Sequence, residues 1–212
     1  MNSEMAAGDV GIIPHQAASK CKNFIRFEII ILTLSSLTVM MISMEKIIMT
    51  LDPEQLRHAM RAWTTGVAVV TAQHDGHRYG MTVNSFTSIS LDPPLISVAL
   101  KQLTHTHELV EKSGEFAITI LASHQKELSD LFAGKSPTIH DRFDGVSTET
   151  LLINAPLIRE GIASFNCRVV KSIPVGENTL FVAEVIAAHG EGDGIPLVYH
   201  NRVYWNLTNP TA

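Results

Sequence analysis

Apolar and polar positions alternate in short blocks along most of the chain, and the blocks read as strands more often than as helices. "TGVAVVTAQ" (65–73) is a β-branched run ending in "HDGH", and Asp75-Gly76 is a strong two-residue hairpin signal. The pattern therefore pairs a strand over 66–73 with one over 77–84. Further strands are expected at 93–101, entered from a turn at Leu91-Asp92-Pro93-Pro94, and at 115–122, 164–175, 178–190 and 195–207. Asn201-Arg202 turns the last pair. Three segments carry helix signals: 53–62 behind Asp52 as N-cap and Pro53 at the first helical position, 104–114 capped by Thr104 or Thr106 and stopped by Gly114, and 123–134 capped by Ser123 and stopped by Gly134. Strands neighbouring in sequence, without regular strand–helix–strand alternation, predict a mainly β chain: an antiparallel barrel with peripheral helices.

Residues 1–48 break this pattern. Lys22, Arg26 and Glu28 precede a charge-free run from Ile29 to Met44, shorter than the roughly 20 residues a spanning helix needs. No small-x-small cleavage site follows. A weak anchor, an odd secretion signal and an upstream extension from a misplaced start compete, and the extension is favoured. The expected division is an N-terminal extension over 1–48 and one folded domain over 49–212, with no membrane role for the domain and a cytoplasmic location.

Of 212 residues, 45% are hydrophobic and 17% charged, which fits a folded globular chain. The net charge of −5, with no Lys/Arg run, excludes the electrostatic footprint of a nucleic-acid binder. Cys21 and Cys167 are too few and too distant for a disulfide framework or a metal knuckle, and Cys167 reads as a small strand residue. Ten histidines include no HExxH and no pair backed by Cys or carboxylate at ligand spacing, so no metal is expected. "GEGDG" (190–194) precedes a strand, which makes it a hairpin loop and not a dinucleotide loop. G-x-S-x-G is absent. No side chain stands out as a catalytic acid, base or nucleophile.

"GMTVNSFTSISLDPPLISVAL" (80–100) is the exception to an otherwise bland reading. By period two, Thr82 and Asn84 face away from Met81 and Val83, while Ile89 and Leu91 resume the apolar face. A half-exposed strand would account for the alternation, but the cluster of Thr82, Asn84, Ser85, Thr87, Ser88 and Ser90 carries no charge. Phe86 on the polar face predicts a kink or bulge near Ser85-Phe86, which would free backbone N–H groups beside the hydroxyls. Such an array suits a planar, polar-edged, phosphorylated ligand.

"TTGVAVVTA", "GMTVNSFTSISLDPPLISVAL", "THT", "GEFAITIL", "ELSDLFAG", "HDRF", "GENTLFVAEV" and "PLVYHNRVYW" stand in the order seen in the flavin reductase-like family, which the chain resembles over about Leu51 to Leu207. The resemblance implies a six-stranded antiparallel split β-barrel that binds FMN, a homodimer with the flavin near the subunit interface, and NAD(P)H-dependent flavin reduction. By motif, Thr82, Val83, Asn84, Ser85 and Ser88 would contact the isoalloxazine edge and the ribityl-phosphate. Thr104 and Thr106 supply a hydroxyl pair at a helix N-terminus, a place that favours a phosphate on physical grounds alone. Arg142 in "HDRF" is a second anchor candidate, beside the alternative of a structural turn with Asp141. Where many members read G-D-H-T, this chain has Gly176-Glu177-Asn178-Thr179, so Asn178 replaces a histidine associated with the nicotinamide and can hydrogen-bond but not carry charge.

The implied chemistry is hydride transfer from nicotinamide C4 to flavin N5, which needs stacking and hydrogen-bond donors but no catalytic side chain. FMN or FAD would be reduced by NADH or NADPH and passed to a separate flavin-dependent monooxygenase. A non-enzymatic flavin- or haem-binding split-barrel protein, and an oxidoreductase that keeps FMN for another acceptor, are the alternatives.

Overall fold

The computed structural model describes residues 51–135, 141–190 and 193–207, and the expectations for residues 1–48 lie outside them. Helix α1 (Pro53–Met60) starts as its sequence dictates, with Pro53 in the first turn and the Asp52 carboxylate accepting the Glu54 N–H at 3.0 Å. After the short β1 (Thr65–Gly66) come β2 (Ala68–His74) and β3 (His77–Val83), joined at Asp75 and Gly76. Both turn residues have positive φ, 47° and 77°, the backbone of a mirror-image hairpin turn that Asp-Gly tolerates. The remaining strands are β4 (Thr87–Leu91), β5 (Pro94–Lys101), β6 (Glu115–Ile120), β7 (Thr148–Glu149), β8 (Leu157–Ile158), β9 (Ala163–Val175), β10 (Asn178–His189), β11 (Val198–His200) and β12 (Val203–Trp205). Helix α2 (His105–Ser113) lies between β5 and β6, and α3 (Lys126–Phe132) follows β6.

Seven strands form one sheet in the order β3-β2-β6-β9-β10-β5-β4, every ladder antiparallel. Six intervals of about 4.8 Å would put the outer strands of a flat sheet about 29 Å apart. Yet those two strands, β3 and β4, are joined by Asn84, Ser85 and Phe86 alone, a link that reaches at most about 14 Å. The sheet has to curl until its edges meet. Register shifts between Val182 and Ala183 and between Val185 and Ala187 bend the long β9–β10 pair accordingly. No ladder joins β3 to β4 among the described residues, so the curled sheet stays open along that seam: a split barrel, with one strand more than the six expected. Strands β1, β11 and β12 form a small second sheet, and β7 pairs with β8.

The barrel interior holds Val70, Val98, Leu100, Phe116, Ile118 and Phe181, all fully buried. Each such side chain contributes about 1.5–3 kcal/mol relative to exposure. Neighbours on β2 alternate outward: Val69, with Val67, packs in a second cluster with Leu121, Phe132, Phe143 and Leu197. Burial on both faces explains why "TGVAVVTA" carries no charge. Cys167 is fully buried in β9, as its reading as a strand residue requires, and desolvation pushes its thiol up to about 12.

Two local expectations need correction. Ser123 does not cap the helix that follows it. Residues Ser123–Gln125 form a 3₁₀ turn, and the Gln125 side chain accepts the Ala122 N–H at 3.0 Å. Ile89 and Leu91 do not return to the core: a register shift between Ser88 and Ser90 resets the alternation, leaving Leu91 90% exposed.

Candidate functional site

Helix α2 begins at the end of β5, and its first turn carries two hydroxyls. Thr104 is the N-cap; its Oγ1 donates to the Lys101 carbonyl at 2.8 Å and accepts the His107 N–H at 3.4 Å. Thr106 is 2% exposed. The amides of His105 and Thr106 open the helix and have no carbonyl ahead of them within it. These groups form one wall of a cavity of about 310 Å³.

Across from that wall stand β3, α3 and the loop after residue 140. Tyr79, Met81 and Thr82 contribute from β3, and Phe132 and Ala133 from the end of α3. Helix α3 can approach because residue 80 is glycine: a Cβ there would lie 2.8 Å from the Phe132 ring. Arg142 completes the wall. Its Nη1 donates to the carbonyls of Gly80 and Phe132, both at 3.0 Å, which fixes the guanidinium between strand and helix. The alternative, a structural turn with Asp141, is formed as well: the Asp141 carbonyl accepts the Asp144 N–H at 3.1 Å, and its carboxylate accepts from the Phe143 N–H and from Arg78.

The lining contains one fixed cation, a buried hydroxyl, the start of a helix dipole and no carboxylate. That donor set selects an anion, and a phosphate monoester fits it. The walls beyond are apolar: Met81, Phe132 and Leu103, the last 90% exposed and held at φ 61° at the cavity mouth. A backbone angle that a branched side chain rarely adopts, at the rim of a cavity, is the kind of strain found at ligand sites. His105 packs against Tyr79, another lining residue, with ring centroids 4.5 Å apart and the rings tilted by 37°.

The structure thus brings together Thr82, Thr104, Thr106 and Arg142 around one cavity. Thr82 donates its hydroxyl to the Ser129 carbonyl at 2.7 Å. The remaining sequence-predicted residues lie outside the lining. Val83 is buried in the barrel core, so only its backbone is available to a ligand. Asn84, Ser85 and Ser88 are exposed along the β3–β4 seam, where Ser85 Oγ donates to the Ala99 carbonyl at 2.8 Å. The expected break is present: β3 stops at Val83, and the chain runs without strand structure until Thr87.

Asn178 is exposed at the first position of β10, registered against Lys101 at the end of β5. Gln102 ties this corner to the start of α2: its Nε2 donates to the Asn178 carbonyl at 3.1 Å and to Thr179 Oγ1 at 3.4 Å. Thr179 Oγ1 in turn lies 2.8 Å from His107 Nε2, both residues buried. Tyr79, Leu103, His105, Phe132 and the Gln102–Thr179–His107 chain were not singled out by sequence. Of these, only His105, set between two site threonines, carried a local signal.

Among the described residues, no helix is long and apolar enough to cross a membrane. The flavin reductase like domain family matches residues 60–208. The reductase component of 4-nitrophenol 4-monooxygenase/4-nitrocatechol 2-monooxygenase from Rhodococcus opacus is 35% identical over 156 residues, covering 74% of this chain and 82% of that protein. The NADH-dependent flavin reductase StyB of Pseudomonas fluorescens is 38% identical over 140 residues, covering 65% and 78%. Among solved structures, the flavin reductase PheA2 in its native state superposes with a TM-score of 0.69 at 33% identity, covering 75% of this chain and all of that one.

Proposed function

The chain belongs to the flavin reductase like domain family, and from that premise we propose that it reduces FMN or FAD with NADH or NADPH and releases the reduced flavin to a separate monooxygenase. The observation that carries this reading is the cavity at the start of α2, which buried Thr106 and the fixed Arg142 both line and to which no carboxylate contributes. Thr104, Thr106 and Arg142 would hold the flavin phosphate, with Thr82 beside the ribityl chain. Val83 through its backbone, together with Asn84, Ser85 and Ser88, would meet the ring's polar edge along the open seam. Asn178 is the candidate partner for the nicotinamide carboxamide, held near the start of α2 by Gln102.

When bound, the flavin supplies the hydride acceptor and the nicotinamide the donor. The chain's own contribution is to bind, to orient, and to offer donors to the flavin's polar edge. That division of labour agrees with a cavity lined by no carboxylate and by one exposed histidine, His105.

A homodimer belongs to the same proposal. Helix α1 buries none of its residues, and Leu56, Met60 and Trp63 are 52%, 54% and 68% exposed. Leu56 and Met60, four apart, share one apolar face of the helix, and Trp63 follows just beyond its end; a second copy of the chain would cover them.

The test is steady-state oxidation of NADH and NADPH by purified protein with FMN, FAD and riboflavin. Flavin-dependent nucleotide oxidation is expected. Protein that binds flavin yet oxidises neither nucleotide would make it a binding protein instead.

A further inference from the structure

A second cavity, of about 260 Å³, lies beside the first and shares Tyr79 and Arg142 with it. Flavin mononucleotide chemistry leaves it unused, yet its side chains are firmly arranged. Arg78 reaches the Asp141 carboxylate at 3.3 Å, and its guanidinium carbon sits 4.7 Å from the centre of the Phe143 ring. Phe143 is buried, and its N–H donates to the other Asp141 oxygen at 2.9 Å. The guanidinium is therefore held by a carboxylate and an aromatic ring, while the Arg78 side chain remains 40% exposed. A planar cation fixed in this way is a stacking platform for a heteroaromatic base. The Phe143 N–H, against a small opposing effect of burial, and then Arg78 hold the Asp141 carboxyl below its ordinary range. It stays an acceptor for ribose hydroxyls or an exocyclic amine. Arg142, on the wall common to both cavities, suits the phosphates that link two nucleotides.

We propose that the second cavity takes the adenylate half of a dinucleotide whose redox half reaches the first cavity, with Arg78 as the platform for the base. This rests on the first cavity being the flavin site. FAD and NADH carry the same adenylate chemistry, so the experiment separates them. Arg78→Gln and Arg78→Lys are compared with wild type using FMN and FAD, and using NADH and reduced nicotinamide mononucleotide. Loss of the planar platform is expected to raise the KM of FAD relative to FMN about tenfold if the flavin dinucleotide is the occupant. The KM of NADH relative to the mononucleotide rises by a similar factor if the nicotinamide dinucleotide is. Lysine, charged but not planar, should not restore the ratio. Independently of any variant, adenosine, which has no phosphate to compete for Arg142, should inhibit wild type competitively against the dinucleotide but not against FMN. Ratios unmoved in both variants, or adenosine that either fails to inhibit or competes with FMN, overturn the proposal. If wild-type protein reduces no flavin at all, the underlying functional reading falls; if it reduces flavin while the ratios stay fixed, only the adenylate assignment does.

Discussion

Thr106→Val removes one hydroxyl from the candidate phosphate site and leaves the shape of the side chain. Thr106 is 2% exposed and lines the cavity, so a ligand oxygen placed there would meet the hydroxyl with little competition from bulk water. Threonine and valine have similar helix propensity, and the valine methyl occupies the same space, so the fold should be little affected. A hydrogen bond from a neutral donor to a charged acceptor contributes about 1.5–3 kcal/mol. At 1.4 kcal/mol per decade, the Kd for FMN should rise about 10- to 150-fold. Riboflavin has the same ring and ribityl chain without the phosphate, and its Kd should change less than about twofold on the same scale. Flavin fluorescence quenching on titration with protein measures both. Equal losses for FMN and riboflavin, or no loss for either, would refute a phosphate at the start of α2.

Other expectations follow from packing and charge. Gly80→Ala places a Cβ 2.8 Å from the Phe132 ring and 3.3 Å from Thr71 Cγ2, both residues buried. Overpacking of this kind should cost about 1–3 kcal/mol, seen as a lower urea midpoint at unchanged slope. Asp130 is partly desolvated, which raises its pKa, but hydrogen bonds from Lys135 and Tyr204 outweigh that and hold it below 3.8 in the folded state. A carboxylate depressed on folding stabilises the protein above its unfolded pKa, and that contribution disappears as pH falls through the folded value. Urea unfolding should therefore show wild type more stable than Asp130→Asn at pH 7, with the gap closing below about pH 4; a gap independent of pH contradicts it. Leu56→Glu with Trp63→Glu should convert a dimer to a monomer by light scattering after gel filtration, and a wild type already monomeric would remove α1 as an interface.

What sequence could reveal depended on how locally each feature is specified. The β2–β3 hairpin was legible because Asp75 and Gly76 both take positive φ, a demand few residue pairs meet. Helix α2 was legible at both ends, through the Thr104 hydroxyl and through Gly114 at φ 68°. Phe86, apolar where the pattern called for polar, marked the break between β3 and β4, where the curled sheet stays open, and its ring centroid lies 5.9 Å from that of Phe165. The bulge at Ile89 left no comparable mark, so the facing of Ile89 and Leu91 was misread. The cavity was half visible. Its helix-borne threonines and Arg142 sit in readable motifs, whereas Tyr79, Leu103 and Phe132 line it because α3 lands on Gly80, a contact between residues about fifty positions apart. Asn84, Ser85 and Ser88 were singled out as one patch with Thr82, but the end of β3 at Val83 separates them from the cavity lining.

The most direct measurement is a crystal structure of the protein soaked with FMN. The account predicts the phosphate against the first turn of α2, within hydrogen-bond distance of Thr106 Oγ1 and facing Arg142, with the ring emerging toward the seam between β3 and β4. A flavin bound elsewhere, with that cavity empty of phosphate, would contradict it.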